Sequence, residues 1–225
     1  VTFAFLKAGL CLYPGASYAG KLLVADVGIY APKKEEGSSV IFACEKRDLE
    51  RIVRKPEGNK GTFGKILLVA GSSAMRTGAG MLKICTREEN RSLFSCFPEA
   101  MLQIYGEDTD LQELLADSLD WADVVGIGPG LGTSKQAAKL LDILLTHCQK
   151  PLVLDADALN LLKDRIPNLK AHTGQVMLTP HLGELARISG ISPGEWKKNP
   201  LNLTKRLAKE LSAVLICKDA RTVIS

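Results

Sequence analysis

The sequence predicts an α/β fold in which a mostly parallel, doubly wound sheet is flanked by helices. From Gly64 onward, short apolar runs alternate with segments of helical periodicity, which is the pattern of successive βα units. Several of these runs end in Gly, Asp or His, and in open α/β sheets ligands bind beyond the carboxyl ends of the strands. The chain has 225 residues and 46% hydrophobic content, enough to bury a full core. We therefore predict an enzyme of the α/β class.

The predicted strands and helices alternate along the chain. Strands are expected near residues 66–70, 81–85, 101–105, 123–127, 152–154, 176–179 and 213–217. Helices are expected over residues 111–119, 135–147, 158–163, 184–188 and 201–211. Thr133 or Ser134 is placed to cap the helix that begins at Lys135, because a hydroxyl oxygen accepts hydrogen bonds from the free N–H groups of a first turn.

The chain divides into three regions of different composition. Residues 1–29 contain an apolar start, a turn at Pro14-Gly15 and a β-like run over 21–28, which is too little to fold alone. Residues 30–56 are polar and charged and include a helical patch over 47–53, as expected of a linker between domains. Residues 57–225 carry the predicted sheet.

Composition argues against several classes of protein. The six cysteines form no CxxC pair, and Cys85 and Cys217 lie in apolar runs, which predicts reduced, buried thiols and a cytoplasmic location. No apolar run approaches the roughly 20 residues that span a bilayer, so no membrane is expected. The net charge is +4, but the basic residues within 33–55 alternate with acidic ones and lack interleaved aromatic residues. We therefore expect no nucleic-acid partner.

A glycine-rich turn follows the strand predicted to end at Ile127. Its glycines, at positions 126, 128, 130 and 132, would let the backbone approach an anion, and the next helix would direct free N–H groups at it. Pro129 interrupts the spacing found in dinucleotide-binding turns, which disfavours a plain NAD-dependent dehydrogenase. A tight turn without any ligand is the alternative.

Acidic and histidine residues follow the next two strands. Of Asp155 and Asp157, one could orient a sugar hydroxyl or a hydrated cation while the other caps the helix predicted from Ala158. A dyad for acid/base catalysis is not expected, because two carboxylates one residue apart point in different directions. His181 lies in a Pro-initiated turn, where we expect it to be exposed and to bind a ligand. His147 and His172 are expected at the surface.

The last predicted strand leads into Lys218-Asp-Ala-Arg-Thr222. A lysine and an arginine at a strand end suit phosphate oxygens. The alternative is a charged hairpin turn.

Taken in order, these motifs resemble the family of bifunctional NAD(P)H-hydrate repair enzymes, in which an epimerase domain precedes a nucleotide-dependent dehydratase of ribokinase-like fold. The similarity to the dehydratase rests on the motifs at residues 59–72, 121–132 (Trp-Ala-Asp-Val-Val-Gly-Ile-Gly-Pro-Gly-Leu-Gly), 154–160 (Leu-Asp-Ala-Asp-Ala-Leu-Asn), 178–187 (Leu-Thr-Pro-His-Leu-Gly-Glu-Leu-Ala-Arg) and 218–222. Separately, residues 1–29 are similar to the last segment of the epimerase domain.

The resemblance implies a repair reaction. Hydrated NADH or NADPH would be phosphorylated on its ring hydroxyl by ADP or ATP with Mg²⁺, and loss of phosphate would regenerate the reduced dinucleotide. It also implies a homo-oligomer, and K⁺ for the epimerase part. The residues expected to hold the hydrated dinucleotide are Gly128, Gly130, Asp155, Asn160, His181, Gly183, Glu184 and Arg187. Those expected to hold the phosphate donor are Lys218, Asp219, Ala220, Arg221 and Thr222.

The chain departs from the family pattern in three places. The Gly-x-Gly-Asp motif that carries the catalytic base is expected beyond Ser225, so no catalytic residue is assigned here and we expect weak binding without turnover. The connection from Gly71 to Gly80 is short for a crossover between parallel strands. Most of the epimerase domain is expected before Val1, which leaves Thr2 as a remnant of its K⁺-binding turn. The alternatives are another ribokinase-like kinase, such as one acting on a vitamin precursor, and a non-catalytic nucleotide-binding module.

Overall fold

A computed structural model describes residues 1–12, 14–29, 43–44, 63–70, 79–95 and 97–225. The chain forms two compact units, Val1–Arg54 and Lys55–Ser225. The predicted linker over 30–56 and its helical patch lie outside the described residues, apart from Ala43 and Cys44.

The first unit contains a two-stranded parallel sheet and two short helices. Strand β1 (Thr2–Phe3) pairs with β2 (Val24–Ala25), and the connection between them includes α1 (Ala8–Cys11) and α2 (Ala16–Ala19). Thr2 is the only buried residue within 1–12 and 14–29. A pair of strands without a buried face is marginal in water, which agrees with the expectation that this segment is too small to fold alone.

In its described residues, the second unit is built on one sheet of eight strands. The strands are β3 (Lys65–Val69), β4 (Met81–Arg87), β5 (Met101–Tyr105), β6 (Val124–Ile127), β7 (Leu152–Leu154), β8 (Val176–Leu178), β9 (Val214–Cys217) and β10 (Val223–Ile224). Their order across the sheet is β10-β9-β8-β7-β6-β3-β4-β5. Every neighbouring pair is parallel except β9 and β10. The predicted α/β architecture with a mostly parallel sheet is confirmed.

Helices follow most strands and pack against the sheet. They are α3 (Leu111–Trp121), α4 (Lys135–His147), α5 (Asp157–Leu162), α6 (Ile166–Ala171), α7 (Leu182–Ser189), α8 (Pro193–Lys198) and α9 (Pro200–Leu211), with 3₁₀ turns at Glu88–Phe94 and Lys163–Arg165. The sequence did not predict α6, α8, β10 or the 3₁₀ segment at Glu88–Phe94. Helices α6 and α8 are short and carry Pro in the first turn, where its missing N–H costs nothing.

Helix α4 buries its apolar face in the main hydrophobic core. Leu140, Leu141 and Leu144 are fully buried there. Burial of one leucine side chain contributes about 1.5–3 kcal/mol to stability. The Oγ of Ser134 accepts a hydrogen bond from the Ala137 N–H (3.2 Å), which confirms the predicted cap. The core therefore fixes the turn that leads from β6 into α4.

The thiols in this core are buried and reduced. Cys85, Cys148 and Cys217 are free and buried. Burial raises the pKa of the Cys85 thiol to about 12 and that of Cys217 to about 11. The expectation of buried, unpaired thiols at Cys85 and Cys217 is confirmed.

Strands β3 and β4 pair in parallel from Lys65 opposite Met81 to Val69 opposite Cys85. The short connection noted in the sequence therefore joins two adjacent parallel strands. Residues 71–78 of that connection lie outside the described residues.

None of the helices in the described part of the chain is long and apolar enough to cross a lipid bilayer.

Candidate active site

The carboxyl ends of four adjacent strands meet at one edge of the sheet. Gly128, Asp155, Thr179 and Lys218 follow β6, β7, β8 and β9. The Asp155 N–H donates to the Ile127 carbonyl (3.1 Å), and the Thr179 N–H donates to the Leu154 carbonyl (3.2 Å). The sequence prediction that the polar strand ends lie side by side is thus confirmed.

Asp155 joins three of these strand ends. Its Oδ1 atom accepts a hydrogen bond from Thr179 Oγ1 (2.6 Å) and one from Lys218 Nζ (2.8 Å). The side chain of Asp155 is 34% exposed and that of Lys218 is 45% exposed. The ion pair is therefore open to solvent and to a ligand that approaches the edge of the sheet.

The environment of Asp155 favours its charged form. Partial burial acts to raise the pKa of the carboxyl group, but the hydrogen bonds from Lys218 and Thr179 and the positive charge of Lys218 outweigh it. The net effect is a pKa below the ordinary value of 3.8. Asp155 is therefore a carboxylate at neutral pH and cannot donate a proton there.

A strained residue separates the two aspartates of this turn. Ala156 has φ of +49° and ψ of −119°, a region that residues with a side chain rarely occupy. Asp155 points to Thr179 and Lys218, whereas the Oδ2 atom of Asp157 accepts a hydrogen bond from the Gly132 N–H (2.8 Å). The two carboxylates thus point apart, as predicted.

The suggestion that one of the aspartates caps the helix after β7 is wrong. Helix α5 begins at Asp157 itself, Ala156 occupies the capping position, and no side chain caps this end. The carboxylate of Asp157 holds the glycine turn instead, because it reaches 25 residues back along the chain to Gly132.

Asp157 belongs to a network that extends to α7. The Nδ2 atom of Asn160 lies 3.5 Å from Asp157 Oδ1, and Arg187 Nη1 donates to Asn160 Oδ1 (2.7 Å). Gly132, α5 and α7 are therefore tied together by polar contacts. Asn160 and Arg187 were predicted as binding residues from the family resemblance alone, and the structure brings them into direct contact.

The glycine turn has two distinct parts. Gly128, at φ of +130°, packs so closely on the next turn that a Cβ atom would lie 1.7 Å from the Asp155 carbonyl oxygen. Packing against this turn therefore requires a glycine at position 128, whether or not a ligand binds. Gly130, at φ of +63°, is exposed. Of the two glycines in this turn that were predicted to bind the dinucleotide, Gly130 is the accessible one.

His181 is exposed, as expected, but it also caps a helix. Its Nδ1 atom accepts hydrogen bonds from the N–H groups of Gly183 (2.9 Å) and Glu184 (3.3 Å). The Glu184 Oε2 atom accepts from the His181 N–H (2.9 Å), which completes a capping box. Because Nδ1 accepts, the ring proton resides on Nε2, which lies 3.3 Å from Glu184 Oε1.

The neighbours of His181 are shaped around the same cap. A Cβ atom on Gly183 would lie 2.8 Å from Cε1 of the His181 ring, so a glycine lets the ring close over the helix end. Glu184 is 6% exposed. The spacing of three residues between His181 and Glu184 was the available signal for this cap, but capping boxes ordinarily begin with Ser or Thr.

The segment Lys218–Thr222 forms the turn between β9 and β10. The antiparallel pairing of Cys217 with Val223 makes it a hairpin turn, which was the alternative considered for these residues. Asp219, Ala220, Arg221 and Thr222 are exposed. Among the described contacts of the segment, the Lys218 side chain is the one that reaches the strand-end cluster.

His172 is not the surface residue that the sequence suggested. Its Nδ1 atom lies 2.9 Å from the Leu145 carbonyl oxygen, and its Nε2 atom is buried without a hydrogen-bond partner. His147 is exposed at the end of α4, as predicted.

No three His, Cys, Asp or Glu side chains converge as a metal site within the described residues. Mg²⁺ that arrives with a nucleotide fits this arrangement, because it commonly takes its oxygen ligands from phosphates, waters and one or two carboxylates.

Comparison with known proteins gives consistent relatives. A protein of Moorella thermoacetica described as a bifunctional NAD(P)H-hydrate repair enzyme is 34% identical over 100% of this chain and 46% of its own length. A protein of Escherichia coli with the same description is 33% identical over 100% of this chain and 44% of its own length. The chain thus spans about half the length of these curated relatives.

Two solved structures share the fold. The Bacillus subtilis ADP/ATP-dependent NAD(P)H-hydrate dehydratase, co-crystallised with ATP and Mg²⁺, is 30% identical, with a TM-score of 0.60 over 77% of this chain and 64% of that one. A Streptococcus mutans protein is also 30% identical, with a TM-score of 0.64 over 77% of this chain and 66% of that one.

The family model described as NAD(P)H-hydrate dehydratase matches residues 57–225, the region predicted from the sequence to carry the sheet. The chain belongs to the NAD(P)H-hydrate dehydratase family.

Proposed function

We propose that the strand-end site takes part in the ADP- or ATP-dependent dehydration of hydrated NADH or NADPH. The observation that carries the proposal is the partly exposed ion pair of Lys218 and Asp155, which lies at the ligand-binding edge of a sheet that belongs to this family. In the full product of the reading frame, the reaction would accompany an epimerase activity that requires K⁺.

The proposed reaction has two steps. The ring hydroxyl of the hydrated nicotinamide attacks the terminal phosphorus of the donor, its proton leaves, and the shortened nucleotide departs. The ring carbon–oxygen bond, whose oxygen now carries the phosphate, then breaks: inorganic phosphate leaves with the former hydroxyl oxygen and the bonding electron pair, and a proton leaves the adjacent ring carbon to form the ring double bond. No residue is assigned as the base for the first step, and the residues of this chain are proposed to supply binding and charge neutralisation.

Lys218 is proposed to neutralise charge on the donor phosphates. In the ligand-free arrangement its ammonium group donates to Asp155, and a phosphate oxygen at the same edge would compete for it. The exposed residues Asp219 to Thr222 would hold the rest of the donor, with Mg²⁺ bound through its phosphates.

The hydrated dinucleotide is proposed to lie on the other side of the cluster. We assign to the dinucleotide the exposed turn at Gly130, the helix end from His181 to Glu184, and the exposed side chain of Arg187. Gly128, Asp155 and Asn160 would act there by holding these groups in place, since each packs on or bonds to a neighbour.

The test uses the complete product of the reading frame that encodes this chain. It is incubated with hydrated NADH and Mg²⁺, with ADP, with ATP or with neither, and the return of reduced-nicotinamide absorbance is followed. Recovery that depends on the nucleotide, and that falls at least tenfold in Lys218→Met, supports the proposal. A fall of this size is expected because a hydrogen bond to a charged group contributes about 1.5–3 kcal/mol. The exposed lysine Lys205 on α9 provides a matched control, as Lys205→Met.

Two other functions are outcomes of the same experiment. No recovery of absorbance, but nucleotide-dependent phosphorylation of a vitamin-precursor alcohol, would identify a different small-molecule kinase. Binding of ATP without transfer to either substrate would identify a non-catalytic nucleotide-binding module.

Location and assembly are also proposed. We infer a cytoplasmic location, which the reduced state of Cys85, Cys148 and Cys217 supports. We also infer a homo-oligomer, supported by the exposed apolar residues Met101 and Leu102 on β5, an edge strand of the described sheet. Light scattering of the purified protein tests the assembly.

A further inference from the structure

We propose that Arg187 binds the pyrophosphate of the dinucleotide substrate and that Asn160 positions its guanidinium for this purpose. The inference rests on the function proposed above and specifies which part of the substrate Arg187 on helix α7 would bind. It follows from how the guanidinium is held and from its charge.

Arg187 is held by a neutral group. Its Nη1 atom donates to the Oδ1 atom of Asn160 (2.7 Å), and the amide nitrogen of Asn160 lies 3.5 Å from Asp157. Asn160 therefore stands between the guanidinium and the nearest carboxylate of the network. Within the described residues, none of the ion pairs involves Arg187.

A guanidinium held in this way is oriented but not neutralised. Arg187 is exposed, and the contact with Asn160 uses one of its N–H donors, so the others remain available. By contrast, Arg165 is engaged by both carboxylate oxygens of Asp142, at 2.7 and 3.2 Å. The planar fork of an arginine suits the oxygens of a phosphate group.

The same network links Arg187 to the glycine turn through two intervening residues. Asn160 contacts Asp157, and Asp157 accepts the hydrogen bond from the Gly132 N–H (2.8 Å). Within this turn the N–H groups of Gly128, Leu131 and Gly132 already donate to acceptors in the protein. An anion near Gly130 would therefore depend on the guanidinium for its charge-assisted hydrogen bonds. The donor nucleotide is assigned to the turn after β9, which leaves the pyrophosphate of the dinucleotide as the anion for Arg187.

The test compares two substrates in the complete protein. One is hydrated NADH, and the other is the hydrated form of reduced nicotinamide riboside, which lacks the pyrophosphate. In Arg187→Gln we expect kcat/KM for hydrated NADH to fall about ten- to hundredfold, mainly through KM, as for a lost charge-assisted hydrogen bond. The value for the riboside should stay within twofold of that of the unmodified protein.

Further variants separate charge from position. Arg187→Lys keeps the positive charge and should retain part of the affinity for hydrated NADH. Asn160→Ala keeps Arg187 but removes the group that orients its guanidinium, so kcat/KM for hydrated NADH should fall less than in Arg187→Gln. The control Arg206→Gln, at an exposed position on α9, should have the same kcat/KM for both substrates as the unmodified protein. The KM for hydrated NADH should also rise with ionic strength less steeply in Arg187→Gln than in the unmodified protein.

The outcomes distinguish this inference from the function on which it rests. If the unmodified protein restores no NADH with any nucleotide, the proposed function fails. Suppose instead that the unmodified protein restores NADH. If Arg187→Gln then lowers kcat/KM by the same factor for both substrates, or changes only the KM for ATP, the proposed function stands and the assignment of Arg187 is overturned.

Discussion

The Nζ atom of Lys218 lies 2.8 Å from Oδ1 of Asp155, although the two residues follow strands β9 and β7 and β8 lies between them. The gap is closed by Thr179 after β8, which donates to the same oxygen (2.6 Å). Three strand ends are thus joined at one carboxylate atom, where the donor phosphates are proposed to bind.

This cluster predicts a specific response to acid. The pKa of Asp155 is depressed in the folded protein, so the stability contributed by its interactions is present above the ordinary value of 3.8 and is lost as pH falls through the folded value. Replacement by Asn removes the ion pair and should cost about 0.5–1 kcal/mol at neutral pH, because the pair is partly exposed. Urea unfolding across the acid range measures both effects.

The exposed Asp164 gives the control. The free energy of unfolding of Asp164→Asn should depend on pH as it does in the unmodified protein. That of Asp155→Asn should change less with pH below 3.8. An unchanged acid profile in Asp155→Asn would show that the ion pair with Lys218 adds no stability.

The positive φ of Ala156 predicts a stabilising substitution. Glycine adopts φ of +49° without a Cβ clash, so Ala156→Gly should relieve strain of about 1–3 kcal/mol, against about 0.4–1 kcal/mol of added unfolded-state entropy. We expect a net gain near 1 kcal/mol by chemical denaturation. The same change at Ala171, an exposed residue that ends α6, should destabilise the protein. Equal losses at both positions would mean that Ala156 carries no strain.

Much of the fold was predictable because its signals are local. The alternation of apolar runs with helical periodicity located β3 to β9 to within two residues at each end. The bounds of α4, Lys135–His147, agree with the prediction, since Ser134 marks its start. The polar strand ends followed from the same pattern, because parallel strands bring their carboxyl ends to one edge.

Two side chains were placed wrongly because their contacts join segments that are distant in the sequence. Asp157 looked like a helix cap because capping is local, but the strained turn at Ala156 directs it to Gly132 instead. His172 looked exposed because its neighbours in sequence are polar, yet it packs against the end of α4 at Leu145. Neither contact has a signature at short sequence separation.

The close approach at Gly128 predicts a severe effect of a single methyl group. In Gly128→Ala the new Cβ would overlap the carbonyl oxygen of Asp155, and φ of +130° would add strain. We expect a loss of at least about 3 kcal/mol, or no soluble protein, because backbone atoms on both sides must move. Gly190→Ala, with positive φ but open space around the Cβ position, should cost only about 1 kcal/mol. Thermal unfolding of both variants compares the two effects, and equal losses would contradict the close approach.

The cap formed by His181 can be separated from its proposed contact with the substrate. Removal of the ring in His181→Ala should cost about 1 kcal/mol, since the N–H groups of Gly183 and Glu184 lose their acceptor. Asparagine is a strong capping residue, so His181→Asn should recover most of that stability while the ring stays absent. Thermal unfolding measures the cap, and titration of the complete protein with hydrated NADH measures binding. If His181→Asn is stable but binds the dinucleotide at least tenfold more weakly, the ring contacts the substrate. If His181→Asn binds the dinucleotide as tightly as the unmodified protein, His181 only caps helix α7.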